Sequence, residues 1–396
     1  MNLKRRRLSN GITVLMEERL LPIVSLSISN QFGAVYESSD IKGIAHFIEH
    51  LVFTGTKTRT HEDISREIES KGGVLNAFTS HDVTSFWFKL PSKNLFDGLE
   101  ILSDILNNPI FEKKKFEKEK KVIMEEIKMY HDNPQRHVLD KIEENLYSSP
   151  FGEGVIGSEK TISALSRDFV YDYFKKVYNP ENFIATIVGS ADFNKVCAFL
   201  EEKFKKSKSD LKVPKISVLN KETTEERSGI DQAHFVFAFH APSFSQKEHS
   251  ALEVLDCYLA NGMSSKLFLK IREDLGLAYT VRGSISTEKN YSYYSIYVGT
   301  TKQAIPQVKK IIVEEFGNIK DLTEKELKQS KERLIGLKSV MSEESTNTMN
   351  DLLFYELATK AEDYYTYDDK INKVSLNDVK AIAKLKSFST ASIVPK

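Results

Sequence analysis

The chain has 396 residues, 40% of them hydrophobic and 10% aromatic, enough to build more than one core. Basic and acidic residues number 56 each, so no net charge points to nucleic acid or an anionic membrane as partner. Two cysteines far apart in sequence, Cys197 and Cys257, argue against a disulfide scaffold and fit a reducing, cytoplasmic setting.

The basic start MNLKRRR is not followed by an apolar run of secretory length, because Asn10-Gly11 and then Glu17 and Glu18 interrupt it. No stretch reaches the roughly 20 apolar residues of a membrane span. Asn10-Gly11, between two alternating segments, predicts a hairpin. IVSLSISNQFGAVYE (23–37) continues as strand, and residues 43–53 and 61–70 read as helices. GGVLNAFTS and residues 83–90 read as strands, followed by helices near 92–107 and 112–130. The mixed-charge run 112–121 is most simply a solvated helix face. PENFIATIVGS is another strand and 192–206 another helix. The polar, lysine-rich stretch 208–228 lacks periodicity and reads as a linker between domains 1–207 and 229–396.

The second half repeats the first. ISREIESKGGVLNAFTS (64–80) resembles LFLKIREDLGLAYTVRG (267–283), and FEKKKFEKEKKVIMEE (111–126) lines up with LTEKELKQSKERLIGL (322–337). The order helix, strand, strand, helix, helix recurs. The expectation is therefore an α+β protein of two homologous sandwich-like units, each an antiparallel-rich sheet covered by helices, produced by internal duplication.

GIAHFIEHLVFTGT (43–56) places His46, Glu49 and His50 in an otherwise apolar helix, where each needs a strong partner. On a helix His46 and His50 lie about 40° apart on one face, one turn from each other, which lets two imidazoles hold one ion. Glu49 lies about 60° to the other side of His46, near the site without being a ligand. In the duplicate, Glu253, Asp256 and Cys257 take the places of His46, Glu49 and His50, so the fold itself does not need the histidines.

A catalytic zinc usually has three protein ligands and a water. With Glu119 at zero on a wheel of helix 112–130, Ile123 lies at about +40°, Phe116 at about +60° and Val122 at about −60°, and Glu126 falls at about −20° inside that apolar stripe. Glu126 is thus the expected third ligand, and Glu119 a residue that orients a ligand from behind. A hydrogen-bonded core network without metal is the rival account of the histidines; two carboxylates on a second buried stripe favour a cation.

The H-x-x-E-H pattern is the inverzincin signature. With Glu126 at the family's spacing after His50 and Glu119 two turns before it, the chain resembles the pitrilysin/insulinase family of zinc metallopeptidases, close to the mitochondrial-processing-peptidase-like and bacterial single-unit members. SPFGEGVIGSEKTI, NPENFIATIVG and NGMSSKLFLKIREDLGLAYTV extend the resemblance over essentially the whole chain. LANGMSSKLF lacks the glycine-rich loop of non-catalytic processing-peptidase subunits, so the likeness is to the catalytic type.

The resemblance implies one zinc per chain, held by His46, His50 and Glu126, with Glu49 as general base in peptide-bond hydrolysis. It implies that Asn76, Ala77 and Phe78 receive a peptide as an added β-strand, with Phe78 a candidate pocket wall. It implies that Arg272 and Tyr279 meet the substrate near the scissile bond, acting in trans within a homodimer or a heterodimer with a related subunit. Of the other histidines only His81, just after the substrate strand, stands close to this set. The rival expectation is a structural or peptide-binding subunit of a larger assembly, without catalysis.

Overall fold

The computed structural model describes residues 3–213, 215–288 and 291–396. It divides into two compact units, each a mixed sheet with helices. The first comprises Met1–Lys128, Gly154–Lys215 and Met341–Tyr364; the second comprises Met129–Glu153, Ile216–Val340 and Tyr365–Lys396.

The first unit contains strands β1 (Leu3–Arg7), β2 (Thr13–Glu18), β3 (Ile23–Asn30), β4 (Val74–Thr79), β5 (Thr84–Pro91) and β6 (Phe183–Gly189). Their order is β1-β2-β6-β3-β5-β4, with only β2 and β6 parallel. The second unit contains β7 (Glu222–Arg227), β8 (Ala233–His240), β9 (Ala278–Thr287), β10 (Ser292–Thr300) and β11 (Ser389–Pro395). Their order is β7-β11-β8-β10-β9, with only β7 and β11 parallel. The second sheet thus repeats the order and sense of β2-β6-β3-β5-β4, as a duplicated unit should.

Two local expectations change. The strand expected over 23–37 ends at Asn30, and short 3₁₀ turns, Ala34–Tyr36 and Ser39–Ile41, lead into the helix Ile44–Val52. The stretch 208–228 contains β7, whose pairing with β11 supplies the order its sequence does not signal.

The division between units also departs from a single break at 208–228. The alternation of β3 puts Val24, Leu26 and Ile28 into the main core and Ser25, Ser27 and Ser29 on the opposite face. That second face reads as wet, yet all three serines are fully buried. The helix Ser345–Ala358, from the far end of the chain, packs on β3 and β6 and covers it, with Ser345 Oγ 2.8 Å from Ser25 Oγ. Small side chains let the helix approach closely. In the second unit the helix Pro134–Leu146 packs on β8 and β11 in the same way. There Asn145 Nδ2 donates to Thr223 Oγ1 at 2.8 Å and to the Thr390 carbonyl at 2.9 Å. Among the described residues no helix is long and apolar enough to cross a membrane.

If the helix Ser345–Ala358 is core to the first unit, Leu352→Ala, at a fully buried position, destabilises it by about 2–5 kcal/mol in urea unfolding. A loss under about 0.5 kcal/mol, the size of an ordinary surface change, would refute that placement.

Candidate metal centre and active site

The helix Ile44–Val52 buries Ile44, Ala45, Phe47, Ile48, Leu51 and Val52, which leaves His46, Glu49 and His50 on its remaining face. The helix Lys113–Asp132 buries only Phe116 and Ile123. Phe116 packs on Phe47 with ring centroids 4.9 Å apart. That contact sets the two helices in register, and Glu119 and Glu126, on the same stripe as Phe116 and Ile123, come to the histidines.

Glu126 Oε2 lies 3.7 Å from His46 Nε2 and 3.6 Å from His50 Nε2. The three candidate ligand atoms all lie within 4.8 Å of one another. Neighbouring donors of a tetrahedral zinc with bonds of about 2.1 Å stand roughly 3.4 Å apart. Glu119 Oε2 is 3.5 Å from His50 Nδ1, on the side of the ring away from Glu126. His46 Nδ1 is buried without a protein hydrogen-bond partner.

The charges favour a cation. Burial, and then the neighbouring His50, push the pKa of His46 down to about 3, so it is a neutral imidazole, the form that binds metal. Burial alone would lower that of His50; the hydrogen bond its Nδ1 makes to the Glu119 carboxylate and the nearby carboxylates of Glu49 and Glu126 outweigh this and raise it. Burial raises the pKa of Glu49, opposed by a hydrogen bond from Thr79. Among the described residues no lysine or arginine pairs with Glu119 or Glu126. Two imidazoles and a carboxylate, backed by two further carboxylates, fit zinc.

A second group of the same residue types shows what this fit requires. His131, His137 and Glu225, in the second unit, also bring their ligand atoms within 4.8 Å of one another. There Arg227 Nη2 lies 2.6 Å from Glu225 Oε1 and 3.4 Å from His131 Nε2. A guanidinium already balances that carboxylate. In the duplicate of the motif helix, His249–Leu259, Asp256 and Cys257 are likewise satisfied by protein groups. Asp256 accepts from Tyr294 Oη at 2.9 Å and Asn261 Nδ2 at 3.1 Å, and Cys257 Sγ lies 3.5 Å from the Ser330 carbonyl.

Beside Glu49 and His50 lies a cavity of about 470 Å³ walled by Phe53, His61, Ser65, Leu75 and Ala77. Among the described residues β4 is the outer strand of its sheet, with β5 beside it. Asn76 and Ala77 line the cavity, whereas Phe78 stacks on Phe354 with centroids 6.2 Å apart and is not among the lining side chains. Thr79, the last residue of β4, donates to Glu49 Oε2 at 2.5 Å. Sequence reasoning passed over Thr79, although it shares the strand face of Leu75 and Ala77. It also passed over His61, whose Nδ1 lies 2.9 Å from the Phe53 carbonyl; His81 is buried and does not line the cavity. Arg272 and Tyr279 meet in the second unit, the guanidinium 4.8 Å from the tyrosine ring centroid. Tyr279 is 73% exposed, so it is not a core tyrosine.

Fold and site together define a class: a duplicated α+β protein carrying an inverted zinc-peptidase motif in its first copy only. Residues 13–159 match the family model described as insulinase (peptidase family M16), and residues 164–334 match the one described as peptidase M16 inactive domain. The chain is 30% identical over 397 residues to the uncharacterized zinc protease YmxG of Bacillus subtilis, covering 96% of this chain and 95% of that one. It is 33% identical over 310 residues to an uncharacterized zinc protease of Rickettsia bellii, covering 76% and 74%. The crystal structure of a protease from Helicobacter pylori superposes with a TM-score of 0.92 at 21% identity, covering 99% of both chains. A Pseudomonas fluorescens structure described as peptidase M16 inactive domain gives 0.91 at 18% identity, covering 100% of this chain and 98% of that one. The chain belongs to the insulinase family, peptidase family M16. All the zinc-ligand candidates fall in the part matched by the first model.

Equilibrium dialysis followed by elemental analysis should find that Glu126→Gln abolishes zinc retention and that Glu119→Gln weakens it about 10- to 100-fold. The His131→Ala and His137→Ala proteins should bind zinc as wild type does. Zinc loss in those two instead would place the metal in the second unit.

Proposed function

We propose that the chain is a zinc-dependent endopeptidase that hydrolyses peptides or unstructured polypeptide segments laid along β4 as an added strand. The observation that carries this reading is the 2.5 Å contact between Glu49 and Thr79, which joins the candidate base to the end of an edge strand. An unpaired strand edge offers main-chain donors and acceptors to an extended peptide without strict demands on its sequence. The adjoining cavity then takes a side chain against Phe53 and Leu75.

His46, His50 and Glu126 would hold one zinc, which when bound acidifies a water and polarises the scissile carbonyl. Glu49 does the proton work. Thr79 holds its Oε2, which leaves the other oxygen to take a proton from the attacking water and deliver it to the departing amide nitrogen as the C–N bond breaks. Arg272 and Tyr279 supply a guanidinium and a phenol to the oxygen on which negative charge develops. In this reading two copies, or this chain and a related subunit, form the working chamber, with Arg272 and Tyr279 of one serving Glu49 of the other.

The Glu49→Gln protein should retain zinc and lose about 10²- to 10⁴-fold in kcat on an unstructured peptide. Full activity in that variant removes Glu49 from the mechanism. A zinc-loaded wild-type protein that cleaves nothing in a peptide library would favour the alternative, a structural or peptide-binding subunit. Mixing Glu49→Gln chains with Arg272→Ala chains should restore part of the activity; if subunits exchange and none returns, the trans arrangement is wrong.

A further inference from the structure

The helix that carries His46, Glu49 and His50 begins under an unusual constraint. Its N-cap position is Gly43, with φ of +94°, in the left-handed region. A Cβ there would stand 2.6 Å from the Ile156 carbonyl oxygen and 2.9 Å from Gly157 Cα. Both conformation and close approach therefore require glycine. Glycine has no side chain with which to accept the free N–H groups of the first turn, which Ser, Thr, Asp or Asn usually accept.

The missing cap comes from a distance. Glu37 Oε2 accepts from the Gly43 N–H at 3.0 Å, and Glu37 Oε1 accepts from the Ala45 N–H at 2.7 Å. Glu37 is fully buried, and so is Lys42, whose ammonium lies 3.7 Å from Glu37 Oε2 and donates to the Ala34 carbonyl at 2.8 Å. A carboxylate out of water is costly unless it is both paired and hydrogen-bonded, and this one has two amides, an ammonium and the positive end of a helix. Both of its oxygens accept N–H groups. The amide it holds at Ala45 belongs to the residue just before His46.

We infer that Glu37, with Lys42 as its counter-ion, is a positioning residue for the metal centre: it sets the first turn of the helix so that His46 Nε2 faces Glu126 before any metal arrives. The hypothesis rests on the reading of His46, His50 and Glu126 as zinc ligands, but it does not require peptidase activity. Glu37→Gln keeps the size of the side chain while removing the charge and one of the two acceptors. The helix can still form, because its apolar face remains packed, but its first turn is no longer tied at both amides. An amide group there would also present an N–H₂ to one of the backbone N–H groups.

The test measures zinc affinity by competition with a chelator, together with the visible spectrum of the cobalt-substituted protein. Glu37→Gln should bind zinc about 10- to 100-fold more weakly and show altered cobalt bands. Leu102→Ala, a core change on the separate helix Leu95–Asn107, serves as the control for lost stability. At a similar fall in Tm it should keep both zinc affinity and spectrum. If Glu37→Gln leaves Lys42 stranded and the chain does not fold, the Glu37→Gln/Lys42→Met pair removes both charges and carries the same measurement. Zinc affinity within twofold of wild type and an unchanged cobalt spectrum would overturn the inference while leaving the ligand set intact. A wild-type protein that takes up no zinc would overturn both.

Discussion

The packing of two helices, Ile44–Val52 and Lys113–Asp132, is what the rest of the site depends on. Phe47 against Phe116, with Ile123 two turns further on, fixes their register, and the hydrophobic effect supplies the driving force. The carboxylates of Glu119 and Glu126 are carried along by that contact, since they share a stripe with the residues that make it. The apolar contact thus assembles a polar site that would repel itself if its members met alone. Three carboxylates around two imidazoles come together only because the surrounding core outweighs their mutual cost, which a bound cation would offset.

The protein contains its own comparison. His131, His137 and Glu225 have the same residue types at comparable separations, and Arg227 sits where a second positive charge would have to go. The duplicate motif helix turns the same buried polar positions into hydrogen bonds with Tyr294, Asn261 and Ser330. Two groups with the same donor types thus differ in the charge that surrounds them. What distinguishes the first copy, among the described residues, is negative charge at Glu119 and Glu126 with no lysine or arginine paired to it.

The proposed chemistry would need more than a metal, and the architecture offers the further groups from separate places. The edge strand β4 ends in Thr79, which reaches Glu49, and the cavity walled by Phe53 and Leu75 lies alongside. Glu37 ties down the start of the motif helix from a loop that the sequence reading had assigned to strand. Each of these partners comes from an element other than the motif helix. A site assembled in this way tolerates drift in any one loop less well than a site built on one helix.

The sequence by itself determined that His46, Glu49, His50 and Glu126 form one group, and it determined the duplicated α+β plan. Those features repeat within single elements: a turn between His46 and His50, two turns between Glu119 and Glu126, a strand alternation that recurs in both halves. Periodicity within one element is local geometry, and local geometry is written in residue order. Tertiary structure alone decided which faces are dry and which polar groups meet. Ser25, Ser27 and Ser29 alternate like a wet face and are buried because Ser345–Ala358 returns from the other end of the chain to cover them. Phe78 turned to Phe354 and left the cavity wall to Phe53 and Leu75, and Thr79 and Glu37 found their partners across loops. Such contacts join residues distant in sequence whose own patterns carry no trace of each other, so only the packed chain could select them.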